Sequence, residues 1–134
     1  MVYFLLFFLF FLIVVSFCRK AYRENKNSLD YHSMSMHYYS LALQHWREHR
    51  NPNECLRVSA MYRLKRFQES DIKKVEISCV AGCANCNKAK KIYSIKEALK
   101  STPIPNISCK FNLHNEGLVN GIGFCRCIYI PIIS

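Results

Sequence analysis

Six of the eight cysteines of this 134-residue chain fall at positions 79, 83, 86, 109, 125 and 127, within its last 56 residues. That clustering constrains the fold more than any other feature. Cys83-Ala84-Asn85-Cys86 is a CxxC, and Cys125-Arg126-Cys127 is a CxC. Two residues between thiolates let a tight turn aim both sulfurs at one point, as a tetrahedral ion with metal–sulfur bonds of about 2.3 Å requires. On a strand, Cys125 and Cys127 point to one face and can reach the same ion. The expected centre is a structural Zn²⁺ held by Cys83, Cys86, Cys125 and Cys127, with Cys109 as the substitute ligand. Cys79 reads as core on a strand, and Cys55 and Cys18 as unconnected. A closed four-thiolate site has no open coordination position, so it holds a fold together without doing chemistry. Its net charge of −2 would be offset by Lys88, Lys90, Lys91 and Arg126 nearby. Two other readings stay open. An even number of cysteines also suits disulfides in an oxidising compartment. Cys83 and Cys86 could instead be a thiol-redox pair, although the strand–helix setting of such motifs is missing.

The second strong feature is Met1 to Phe17, which is apolar except for Ser16 within residues 2–17. As a helix it is roughly 25 Å long. No basic residue precedes it, and bulky Phe17 stands where a signal peptidase needs a small side chain, so an uncleaved anchor fits better than a cleaved signal. Arg19, Lys20, Arg23 and Lys26 all follow the run. The expectation is a single-pass membrane protein, anchored through residues 1–18, with its C-terminal region cytoplasmic.

Between anchor and cysteines, the period is helical. Tyr31, Met34, Tyr38, Leu41, Ala42 and Trp46 predict a helix over 29–49, capped by Ser28 after an Asn25–Ser28 tether. Asn51 and Pro52 then open a second helix, with Glu54 three residues after Asn51 in a capping-box pattern. Leu56, Ala60, Leu64 and Phe67 form its apolar stripe, and the pair reads as an αα-hairpin. From Lys74 the period becomes 2, with Val75, Ile77 and Cys79 on one face of a strand. Ser94 to Glu97 is a second capping box opening a short helix that Pro103 and Pro105 stop. Asn120–Gly123 is a turn, and Phe124 to Ile130 is a β-rich run ended by Pro131. The expected fold is α+β: an N-terminal transmembrane helix (1–18), an αα-hairpin (28–70), then a small Cys-rich zinc-binding β module with a short helix (71–134).

The order of CxxC, Tyr93-Ser94-Ile95-Lys96-Glu97-Ala98-Leu99, Pro103-Ile104-Pro105, Cys109 and Cys125-Arg126-Cys127 resembles the cysteine-rich C-terminal segment of phage head-morphogenesis (minor capsid) proteins. The likeness covers residues 75–130. It departs from that pattern at Asn87-Lys88 after the CxxC, where the family often has Asp-Gly. It departs again at Gly123-Phe124, where the family often has a His before the final Cys-Arg-Cys. What it implies is a compact metal-binding module.

Net charge is +10, from 19 Lys and Arg against 9 Asp and Glu. Arg57, Arg63, Lys65 and Arg66, continued by Lys73 and Lys74 and with Tyr62 and Phe67 interleaved, make the second helix and its exit basic, able to meet nucleic-acid phosphates. A solvated basic face is the simpler reading. His45-Trp46-Arg47-Glu48-His49 matches the HxxEH of inverzincin peptidases, but sits in the last turn of a short helix, where His⁺ suits the helix dipole. No glycine-rich phosphate loop is present. The sequence therefore points to a non-catalytic, membrane-anchored zinc-binding scaffold with a protein partner. The alternatives are a nucleic-acid-associated protein of phage or mobile-element origin, and an exported disulfide-linked or thiol-redox domain.

Overall fold

A computed structural model describes residues 2–79, 86, 91–111 and 118–133, with the backbone alone at 2–10 and 24–29. The chain is α+β. Its described elements run α1 (Val2–Arg47), α2 (Asn53–Glu69), β1 (Lys74–Ser78), β2 (Ile92–Ser94), α3 (Ile95–Ser101) and β3 (Ile128–Ile132). The strands form one antiparallel sheet in the order β2-β1-β3.

The N-terminal region requires a correction. Among the described residues no helix is long and apolar enough to cross a membrane. The apolar run of residues 2–17 gives way to Arg19, Lys20 and Arg23, and is shorter than the about 20 apolar residues a typical span needs. The single-pass localisation and the orientation derived from it fall together. There is also no tether at Asn25–Ser28. The expected anchor and first hairpin helix are one uninterrupted helix, α1.

The hairpin is set by its turn. α1 ends with His49 in the left-handed region (φ 54°). The Arg50 N–H bonds to the His45 carbonyl at 2.7 Å and the His49 N–H to that of Trp46 at 3.0 Å. That pair of bonds is a Schellman closure, with His49 where glycine is commonest. Asn51 Oδ1 then accepts from the Asn53 N–H at 2.9 Å, and the Pro52 carbonyl takes the first ladder bond from Leu56 at 3.0 Å. Asn51 thus braces the opening of α2, but Pro52 and not Asn51 is the N-cap residue (φ −84°, ψ −9°), so the helix starts one residue later than the sequence predicts. Glu54 does not bond back to the cap: its two oxygens accept from Nε and Nη2 of Arg57, along one guanidinium edge, at 3.0 and 2.5 Å.

The two helices meet through small residues. Ser35 and Ser59 are buried, and each hydroxyl donates to the other residue's carbonyl, at 2.9 and 2.7 Å, with the hydroxyl oxygens 3.2 Å apart. Fully buried Ala42 continues the close approach. Either serine replaced by alanine is expected to cost about 1–2 kcal/mol in chemical denaturation. The double variant should cost less than the sum by about 0.5 kcal/mol or more, because the two groups share one network.

Beyond α2, β1 alternates as read, with Val75 and Ile77 buried against Leu64, Tyr93, Ile95, Ala98, Ile104 and Tyr129. Ser94 caps α3, accepting from the Glu97 N–H at 3.1 Å. Pro131 does not end a strand. It lies inside β3, opposite Val75, where the missing N–H is tolerated because β3 is an edge of this sheet. A second apolar cluster, Ala42, Trp46, Cys55, Leu56, Val119 and Phe124, includes the buried Cys86, Cys109 and Cys125. Cys79 and Cys127 are packed against both clusters, so the cysteines lie where the two cores join.

Candidate metal centre

Four separate stretches of chain deliver the sulfurs. β1 runs out at Ser78 and places Cys79 next, and the Cys79 thiol donates to the Cys86 carbonyl at 3.2 Å. After α3, the Asn106 carbonyl accepts from the Cys109 N–H at 3.0 Å and its Oδ1 from the Ser108 N–H at 2.9 Å, a turn that fixes Cys109. Asn120 (φ 51°) and Gly121 (φ 75°) form a hairpin turn closed by both Val119–Ile122 backbone bonds, at 3.0 and 2.9 Å. Asn-Gly favours that geometry because both central residues need positive φ. The returning chain then pairs with the Cys109 segment: Gly123 N–H bonds to the Cys109 carbonyl at 2.7 Å and Phe124 N–H to that of Phe111 at 2.9 Å. A Cβ at Gly123 would lie 2.5 Å from backbone atoms of Phe111, so only glycine allows this approach.

The pairing sets Cys109 beside Cys125. Phe124 is fully buried and is held edge-on by Tyr39 (5.9 Å) and Trp46 (5.7 Å) of α1, which anchors the residue immediately before Cys125. The sulfurs of Cys86, Cys125 and Cys127 lie within 4.8 Å of one another. A tetrahedral ion with bonds of about 2.3 Å holds its sulfurs about 3.8 Å apart, so these three can hold a metal ion. Cys127 also contacts the sulfur of Cys79.

The surroundings favour negative charge on one sulfur. Thiol donation from Cys109 and Cys127, then the backbone N–H groups of Cys127 and Asn106, pull the Cys125 pKa far below the ordinary thiol value despite its burial. Cys109 and Cys127 are pushed up in turn, first by donating to Cys125 and then by burial. Hydrogen bonds to the charged form are what lower a pKa. The Phe111 N–H, 3.5 Å from Cys109 Sγ, opposes the rise at Cys109 in part.

Of the five cysteines read from sequence as ligands, three converge (Cys86, Cys125 and Cys127) and Cys109 bonds to one of them. Cys83 lies outside the described residues, as do Lys88 and Lys90. Cys125 and Cys127 converge although no strand includes Cys125. Cys79, taken as core, joins the cluster; its place at the end of an alternating strand, four residues before the CxxC, was the available signal. Cys18 is exposed and Cys55 is buried 3.7 Å from His45 Nδ1. The seven described cysteines form no disulfide among themselves.

The remaining sequence signals are dispersed. Lys91 sits over the Tyr93 ring and 3.5 Å from Glu97, and Arg126 over the Phe111 ring. His49 is past the end of α1, and Glu48 bonds to Gln44 and Arg50, so the HxxEH residues do not share a helix face. On the basic helix, Arg57 is held by Glu54, Arg66 donates to His32 at 3.1 Å, and Lys65 lies over the Tyr62 ring.

Fold and cluster together describe an α+β chain with a buried group of cysteines able to hold a metal ion. No family model, characterised protein or solved structure matches it.

Proposed function

We propose that this chain is a small structural zinc protein, a binding or scaffolding module without catalysis. The observation that supports it is the convergence of Cys86, Cys125 and Cys127 within 4.8 Å. Three thiolates from distant parts of the chain suit a soft, tetrahedral ion, and Zn²⁺ is the common occupant of such sites. Cys83 supplies the fourth ligand through the CxxC spacing. Cys79 and Cys109 then act as the outer ring, hydrogen-bonding the ligands and fixing their direction. Four thiolates close the site, so the ion's work is to hold the two apolar cores together.

The test is metal and thiol content of the full chain, purified under reducing and then non-reducing conditions. The expected result is one zinc per chain, with four thiols protected until a chelator is added. No metal and oxidised cysteines would overturn the reading in favour of a disulfide-linked exported domain.

A further inference from the structure

We propose that the cavity between the helical hairpin and the cysteine module binds a small amphipathic carboxylate, an apolar chain ending in one negative charge. The cavity measures about 590 Å³, inside the range of small-molecule sites. Met36 and Leu56 from the hairpin and Ile128 and Tyr129 from β3 give it apolar walls, and Arg63 and Arg126 also line it. No Asp or Glu lines it among the described residues.

Arg63 carries the argument. The described salt bridges pair Arg50 with Glu48, Arg57 with Glu54, Lys73 with Asp71 and Lys91 with Glu97. Arg63 is half-buried and has no carboxylate partner among the described residues. Its charged neighbour is Arg66, and burial together with that like charge disfavours its cationic form. A part-buried cation without a counter-charge is costly. A carboxylate entering the cavity relieves that cost, and a guanidinium can grip it with two parallel bonds. The remaining wall takes an apolar tail. Cys79, Cys125 and Cys127 line the same cavity, so its wall abuts the cysteine cluster of the proposed zinc site; the carboxylate grip itself rests on Arg63 of α2, and the metal content recorded for each variant tells the two apart.

Titration calorimetry on the full chain, with metal content and helicity recorded for every variant, compares octanoate with 1-octanol. Wild type is expected to bind octanoate saturably, at least about tenfold tighter than octanol, the size of one charge-assisted bond. Arg63→Gln should remove that preference while metal content stays unchanged, and Arg63→Lys should retain part of it. Ala60→Leu, which fills the cavity without altering charge, should weaken both ligands. Three results would overturn the proposal: equal affinity for the two ligands in wild type, an unchanged preference in a folded Arg63→Gln, or octanoate binding unaffected by Ala60→Leu.

Discussion

On the proposed zinc reading, replacing Cys125 by serine is expected to abolish metal binding and unfold the region from β1 to β3. Cys125 is one of the three converging sulfurs and the one toward which Cys109, Cys127 and the Asn106 N–H all point. A serine hydroxyl is not ionised near neutral pH and is a poor ligand for a soft ion, and it leaves those donors without their acceptor. Structural zinc contributes about 10–16 kcal/mol in small zinc domains, comparable to the whole stability of a typical domain. The effect should therefore be all-or-none rather than graded. Metal per chain should fall from one to near zero. Amide protection in β1 and β3 should be lost, while the Ser35–Ser59 contact keeps the hairpin helical. Cys18→Ser, at an exposed position, should leave metal content and melting unchanged. Chelation of the wild type should reproduce the Cys125→Ser state. A Cys125→Ser protein with full metal content and wild-type melting would refute the metal reading.

How far the sequence reached depends on the range of the interaction involved. Local signals held. Asn51 braces the turn into α2 and Ser94 caps α3, Asn120-Gly121 makes its turn, and Val75 and Ile77 alternate into the core, because each depends on neighbours a few residues away. Most misreadings came where distant partners decide; Glu54 is the exception, its competitor lying three residues away. Glu54 had Arg57 on the next turn as a competitor for its carboxylate, and a charge-assisted pair outweighs a return bond to the cap. Pro131 reads as a stop until β3 is known to be an edge. Ser35 carried no signal in the apolar pattern of α1, and only the arrival of Ser59, 24 residues later, makes it core. The apolar run at the N-terminus suggested a span, but charge arrives at Arg19 and the helix carries on through it. The CxC was expected to converge through strand geometry. It converges in irregular backbone, where the Cys127 N–H bonds back to the Cys125 sulfur.

Phe124→Ala is expected to be the most damaging substitution outside the cysteines, and it tests whether the hairpin positions the metal centre. Phe124 is fully buried, and its ring meets Tyr39 and Trp46 of α1 edge-on. Truncating a buried Phe costs about 3–5 kcal/mol from lost transfer energy and the cavity left behind, and the two aromatic contacts add about 0.5–1.5 kcal/mol each. The location gives the loss a second consequence. Phe124 immediately precedes Cys125, and its N–H bonds to the Phe111 carbonyl, so its ring fixes the stretch that presents Cys125, a ligand in the proposed site, against Cys109. Freed from α1, that stretch must be ordered again each time metal binds. Metal affinity should therefore fall along with stability, by tenfold for each 1.4 kcal/mol of ordering. Leu64→Ala is the matched control. It removes a similarly buried side chain from the other cluster, and should cost about 2–5 kcal/mol with a smaller change in metal affinity. Competition with a chelator of known affinity, read beside denaturant unfolding, separates the two effects. If Phe124→Ala and Leu64→Ala weaken metal binding equally, the hairpin supplies general stability and does not position Cys125.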